Sequence, residues 1–157
     1  MDRFSKFFTF EELTDSENHP TMVEANRTDA LEWVDHGAAL SLLLEEVRHI
    51  LGDKPIKVNS GFRNAELNKA VGSKSSKSAH TLFKAADIKP LNISIQQAFE
   101  LLITAKEAGQ LTTLKKVLQE GGWLHVEVLC CGDVEEGISF RGFFVSKDGN
   151  KTWERVA

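Results

Sequence analysis

Two histidines and one aspartate give this 157-residue chain its most suggestive spacing: His80 and Asp87 in the run SAHTLFKAADI, and His125 in WLHVEV. The alternation in WLHVEV has a period of two, so Leu124, Val126 and Val128 share one face of a strand and Trp123, His125 and Glu127 the other. The first face reads as core and the second as the wall of a cleft. Two neutral imidazoles and one carboxylate would leave a bound Zn²⁺ with net positive charge and its fourth tetrahedral position open to water. Such an ion acidifies that water and polarises a carbonyl. His80 and Asp87 are separated by an odd number, so on one continuous strand they would face opposite ways. A turn or bulge between them is needed if both are to serve one ion.

Each of these residues also has a plainer use. A single histidine on a strand is more often packed or exposed than a ligand, an aspartate after two alanines can cap or pair, and Arg63 can sit in a surface ion pair. The stretch GSKSSKSAH from Gly72 to His80 reads as a solvated loop. Cys130 and Cys131 are adjacent, which rules out an ordinary loop-closing disulfide between them, and they lack the C-x2-C spacing of a thiolate metal site. Reduced thiols are the expectation.

The elements that would position the three residues are legible in outline. Thr9-Phe10-Glu11-Glu12 has the capping-box pattern of a short helix. Ser16 to Thr28 is polar, contains Pro20 and lacks periodicity, which predicts a loop or surface arm. From Gly37 to Leu51, Leu40, Leu43, Leu44, Val47, Ile50 and Leu51 follow the spacing of one helix face, with Gly52 as the stop. Pro55 to Gly61 predicts a strand, Ala65 to Val71 a short helix and Ala85 to Ile88 a buried strand. Ser94 to Gln97 opens a second capping box, on a helix running to Ala108. Strands are then expected at Thr113–Leu118, Trp123–Leu129, Ile138–Ser146 and Thr152–Val156, the last two joined through KDGNK. Helices early and strands late predict an α+β fold, a single domain with helices on a mainly antiparallel sheet and the metal cleft on one sheet face.

Composition removes several function classes. Hydrophobic residues are 41% and charged residues 27% of the chain, as in ordinary globular proteins, and the net charge of -4 offers no general attraction for nucleic acid or an anionic membrane. Neither nucleic-acid binding nor membrane insertion is expected, and no motif specifies an oligomeric state. In MDRFSKFFTF, charges run through the first six residues and FFTF is too short for a secretory core, so synthesis in the cytoplasm without a signal peptide is expected.

In order and spacing, SGFRNAELNKAVG (Ser60 to Gly72), SAHTLFKAADI and WLHVEV resemble the zinc D-Ala-D-Ala carboxypeptidase family, which includes VanX-type dipeptidases and phage endolysins. The pattern of that family runs S-G-[YF]-R-S, L-N, V-G-G, then S-x-H-x-x-G-x-A-x-D, and finally W-x-H. The N-terminal FTFEEL is similar to the opening of its small single-domain members, so the family-like core spans residues 7 to 128 and leaves 129–157 as C-terminal strands and a hairpin.

The resemblance implies a Zn²⁺-dependent peptidase cutting a peptidoglycan stem peptide beside a D-amino acid, with His80, Asp87 and His125 as metal ligands. It also implies Arg63, Ser78 and Trp123 around the substrate. For the proton-transferring acid it suggests Glu120, with Glu127, on the strand face of His125, as the alternative base; the position three before His125, acidic in other members, is Gly122. The family glycine three positions after the first histidine is Phe83 here, where a glycine would serve positive φ or close approach, which predicts an altered cleft. A zinc-binding but catalytically silent member, such as a phage particle component, is the competing expectation. Without a signal peptide, either would reach the wall after release or on a particle.

Overall fold

The computed structural model describes residues 4–130, 141–149 and 152–157. Cys131, residues 138–140 of the expected fifth strand, and Asn150 and Lys151 of KDGNK lie outside them.

Helices come first: α1 (Phe10–Leu13), α2 (Val23–Ala30) and α3 (Val34–Ile50) precede the first strand. Strand β1 (Ile56–Ser60), α4 (Ala65–Ala70), a 3-10 turn at Ala79–Leu82 and β2 (Ala85–Pro90) follow. The chain then runs through α5 (Ile95–Glu107), β3 (Leu114–Glu120), β4 (Trp123–Val128), β5 (Gly142–Val145) and β6 (Glu154–Arg155). The strands form one sheet in the order β1-β2-β4-β3-β5-β6. All neighbouring pairs are antiparallel except β3 and β5. The α+β class with a mainly antiparallel sheet is therefore what the chain adopts.

Periodicity explains the two long helices. Leu40, Leu43, Leu44 and Val47 of α3 and Ala98, Phe99 and Leu102 of α5 are buried in one cluster with Ile88, Val117, Leu124 and Val126 of the sheet. Burying such aliphatic and aromatic side chains contributes about 1.5–3 kcal/mol each relative to exposure. Ser94 caps α5 through the reciprocal box with Gln97 that its sequence predicts.

The expected loop from Ser16 to Thr28 is a correction. Pro20–Met22 forms a 3-10 turn and Val23–Ala30 a helix. The sequence pattern misses this helix because its buried face, Val23, Asn26 and Ala30, has a polar residue at its centre. Asn26 donates from Nδ2 to the carbonyls of Thr14 (2.9 Å) and Phe62 (3.0 Å), and its Oδ1 accepts from the Asn64 backbone N–H (2.7 Å). Long-range hydrogen bonds, rather than an apolar stripe, hold α2 in place. The C-terminal pairing of β5 and β6 matches the hairpin expectation in direction, with Phe144 opposite Arg155, although β6 is shorter than Thr152–Val156.

Candidate metal centre and its cleft

Strand register brings two of the three donors together. Asp87 on β2 lies directly opposite His125 on β4, so both point from the same face. His80 arrives by a turn, as the odd spacing required. It sits in the Ala79–Leu82 turn, whose first residue is capped by Ser78, with Ser78 Oγ accepting from the His80 N–H (3.3 Å). The turn ends at Phe83 in the left-handed region, φ 58°, and β2 begins two residues later.

Phe83 therefore supplies the positive φ at which glycine is usual, and its ring leaves the cleft. It is 0% exposed and packs 5.3 Å from the Phe62 ring and 5.7 Å from the Phe4 ring, centroid to centroid. Beneath it lies Gly37, where an added Cβ would come within 2.9 Å of the Phe83 ring. The altered cleft expected at Phe83 is thus corrected: the bulk is absorbed by the core because α3 offers a glycine opposite it.

The two imidazoles are oriented by different partners. His80 Nδ1 lies 2.7 Å from the Gly61 carbonyl, which fixes Nδ1 as the N–H and leaves Nε2 with a lone pair. Gly61 is obligatory there, since a side chain would collide with the Leu13 carbonyl. His125 Nε2 lies 2.9 Å from Glu127 Oε1, so a proton on Nε2 leaves Nδ1 turned toward Asp87 Oδ1, 2.9 Å away.

Buried His80 Nε2 makes no hydrogen bond among the described residues, although Asp87 Oδ1 is 3.3 Å from it. Two lone pairs facing each other in a buried site call for a cation between them. One donor atom from each of His80, Asp87 and His125 lies within 4.8 Å of the others. Around a tetrahedral ion bound at about 2.0–2.1 Å, donor atoms are about 3.4 Å apart, so the set fits Zn²⁺ with small adjustment.

Electrostatics agree. Burial pushes the His80 pKa down against the pull of Asp87, keeping the ring neutral, as a ligand must be. Burial alone would raise the Asp87 carboxyl, but the adjacent His80 and the hydrogen bond with His125 hold it well below the usual carboxylate range. Burial would lower His125, yet its bonds to Asp87 and Glu127 push it up to about 10. Without a metal, a proton occupies that position; a metal displaces it.

The donors open onto a groove of about 400 Å³ that Asp87 shares with Arg63, Trp123, Asn59, Ser60 and His19. Arg63 donates its backbone N–H to the His80 carbonyl (3.1 Å), while its Nε is buried without a hydrogen-bond partner among the described residues. Desolvation lowers its pKa against the opposing charges of Asp87 and Glu120. Glu120 ends β3 opposite Trp123 and accepts the indole N–H at 2.7 Å. Its pKa is raised, first by burial, with His125 and Asp87 acting in opposite directions.

Glu127 is turned to the far nitrogen of His125 and lies 3.9 Å from both Lys115 and Lys116 Nζ, away from the groove lined by Asp87. His19 and Asn59 line the groove with no motif in the sequence to announce them. Asn64, where the family pattern has serine, caps α4 by accepting from the Leu67 N–H (2.9 Å), which a serine would do equally well.

Fold and donor set together fit a mononuclear zinc site on one face of a mainly antiparallel sheet. The chain belongs to the Peptidase M15 family, whose sequence model matches residues 6–127. A zinc D-Ala-D-Ala carboxypeptidase of Streptomyces albus G is 49% identical to it over 45 residues, 29% of this chain and 17% of that protein. The chain thus matches less than a fifth of the length of that relative.

Proposed function

We propose that this chain is a zinc-dependent peptidoglycan peptidase, a D-Ala-D-Ala carboxypeptidase or an endolysin-type L,D-endopeptidase, cutting a stem-peptide bond beside a D-amino acid. The observation that carries the reading is the bare lone pair of His80 Nε2 facing Asp87 Oδ1, a pair that needs a cation. Bound by His80, Asp87 and His125, Zn²⁺ would polarise the scissile carbonyl and lower the pKa of a water.

The chain supplies the remaining functions. Glu120, whose pKa burial raises, takes the proton of the attacking water and returns it to the leaving amine. Arg63 presents its guanidinium to the substrate carbonyl or carboxylate, where directed hydrogen bonds strengthen as charge develops. Trp123 holds Glu120 and forms a wall of the groove, and Ser78 caps the turn carrying His80, from where we assign it a substrate contact. Glu127 orients His125 and is the alternative base. We assign residues 7–128 to the peptidase unit and the strands beyond it to a C-terminal addition, with action on the wall following release or delivery on a particle.

Incubating the purified protein with defined stem peptides, with metal content measured alongside, tests this. One zinc per chain and a product cut beside a D-residue are expected; equal hydrolysis by zinc-free protein would sink the reading. Gly122 favours a second reading, a zinc-binding but catalytically silent domain, because it leaves no acid three positions before His125. Zinc without hydrolysis, and a Glu120→Gln form indistinguishable from wild type, would select it.

A further inference from the structure

Along β4, Trp123, His125 and Glu127 point from one face in succession. The groove occupies the Trp123 end of this row. At the Glu127 end lies a second, smaller cavity of about 140 Å³, lined by Lys77, Lys84, Lys115, Lys116 and Glu127. Four ammonium-bearing side chains around one carboxylate reverse the sign of a protein whose net charge is -4.

The chain departs from regular geometry to build this cavity. Lys115 and Lys116 are consecutive and should face opposite sides of β3, yet both bring Nζ to 3.9 Å from Glu127 Oε2. The register between β3 and β4 slips between Leu114 and Lys116, and such a bulge re-aims a side chain. Lys77 comes from the Ser/Lys-rich loop before His80, and Lys84 from the step between Phe83 and β2. All four lysines thus converge from segments adjoining metal donors or their supports.

We propose that this cavity is an oxyanion subsite that takes a free carboxylate of the substrate. The inference rests on the peptidase reading for the identity of that substrate. Its volume of about 140 Å³ has room for a carboxylate or phosphate. Two residues of strand separate Glu127 from His125, on the order of 7 Å, which is about two residues of an extended peptide. A carboxylate in the cavity would hold the substrate one or two residues from the bond at the metal, opposite Arg63. Clustered charge on a solvent-accessible cavity makes such a subsite sensitive to salt.

The test uses the full-length chain, metal-loaded and after chelation, in an amide chemical-shift titration with N-acetyl-D-alanine, its neutral amide, and inorganic phosphate. Both anions are expected to give saturable shifts at Ala79, Lys84 and Val128 in either form, and the amide none. The surface double variant Lys77→Gln/Lys84→Gln should weaken this binding at least tenfold, and rising salt should weaken it in wild type. Steady-state hydrolysis adds the second arm. Stem peptides ending in a carboxylate should show a KM about tenfold below that of their amides, and the ratio should fall toward one in the double variant. Absence of saturable shifts with N-acetyl-D-alanine, or equal shifts with its amide, would overturn the subsite. If neither peptide is cut, the peptidase reading fails while the titration still decides whether the cavity binds oxyanions.

Discussion

The two histidines of the candidate metal centre are held in opposite ways. His80 sits in a tight turn and donates Nδ1–H to a backbone carbonyl, that of Gly61, which stands where it does because a glycine can approach Leu13. His125 sits on a central strand and is oriented by a side chain, Glu127. One orientation is built into the backbone and depends on the close approach that Gly61 allows. The other depends on a single carboxylate and is therefore tunable.

Removing either imidazole should erase this difference, and it is the largest effect expected. His80→Ala or His125→Ala should drop bound zinc from about one per chain toward zero and hydrolysis to background, measured by metal analysis and peptide cleavage. Retention of full zinc by either variant would break the three-donor assignment.

The next effect tests the turn that delivers His80. Phe83 combines a buried ring with a left-handed backbone. Phe83→Ala loses the ring packing, about 3–5 kcal/mol, and keeps the strain. Phe83→Gly loses the same ring but relieves the strain, so it should be about 1 kcal/mol more stable than the alanine form. That reverses the usual cost of glycine and is readable by urea denaturation. A glycine form less stable than the alanine form would show that the φ of Phe83 carries no strain.

Glu127 sharpens the contrast from the side of His125. Glu127→Leu removes the partner of Nε2, and zinc affinity should fall about 10- to 100-fold, measured by competition with a chelator, while the fold persists. No side-chain substitution near Gly61 has an equivalent effect on His80 alone.

Legibility in the sequence followed the same division. Strand parity placed Trp123, His125 and Glu127 on one face, and the odd interval between His80 and Asp87 demanded a turn, because both depend only on the two-residue period of a strand. Helix α3 was readable since four buried leucine and valine positions repeat along one face. Helix α2 was hidden because its central buried residue is Asn26, whose partners lie far away in sequence. The parallel pairing of β5 with β3 and the placement of Glu17 and His19 beside the groove were equally illegible, since each is decided by a long-range contact. Phe83 was misread for a related reason: the sequence shows its bulk, while the vacancy that accepts it is Gly37, on another helix.

The smallest effect concerns how finely the proposed base is set. Trp123 Nε1 donates to Glu120 Oε2, and a hydrogen bond to the charged form lowers a carboxyl pKa, here against the larger upward push of burial. Trp123→Phe keeps most of the apolar wall and removes that donor, so the Glu120 pKa should rise further. Since a general base works only when deprotonated, the acid limb of kcat/KM should move to higher pH, with activity well above that limb reduced less than about tenfold. Gln at position 120 should abolish the limb altogether, whatever stands at position 123. An acid limb unmoved by Trp123→Phe would mean that another group sets it, and would transfer the proton-shuttling role away from Glu120 toward Glu127, whose environment on the far side of His125 is untouched by the indole.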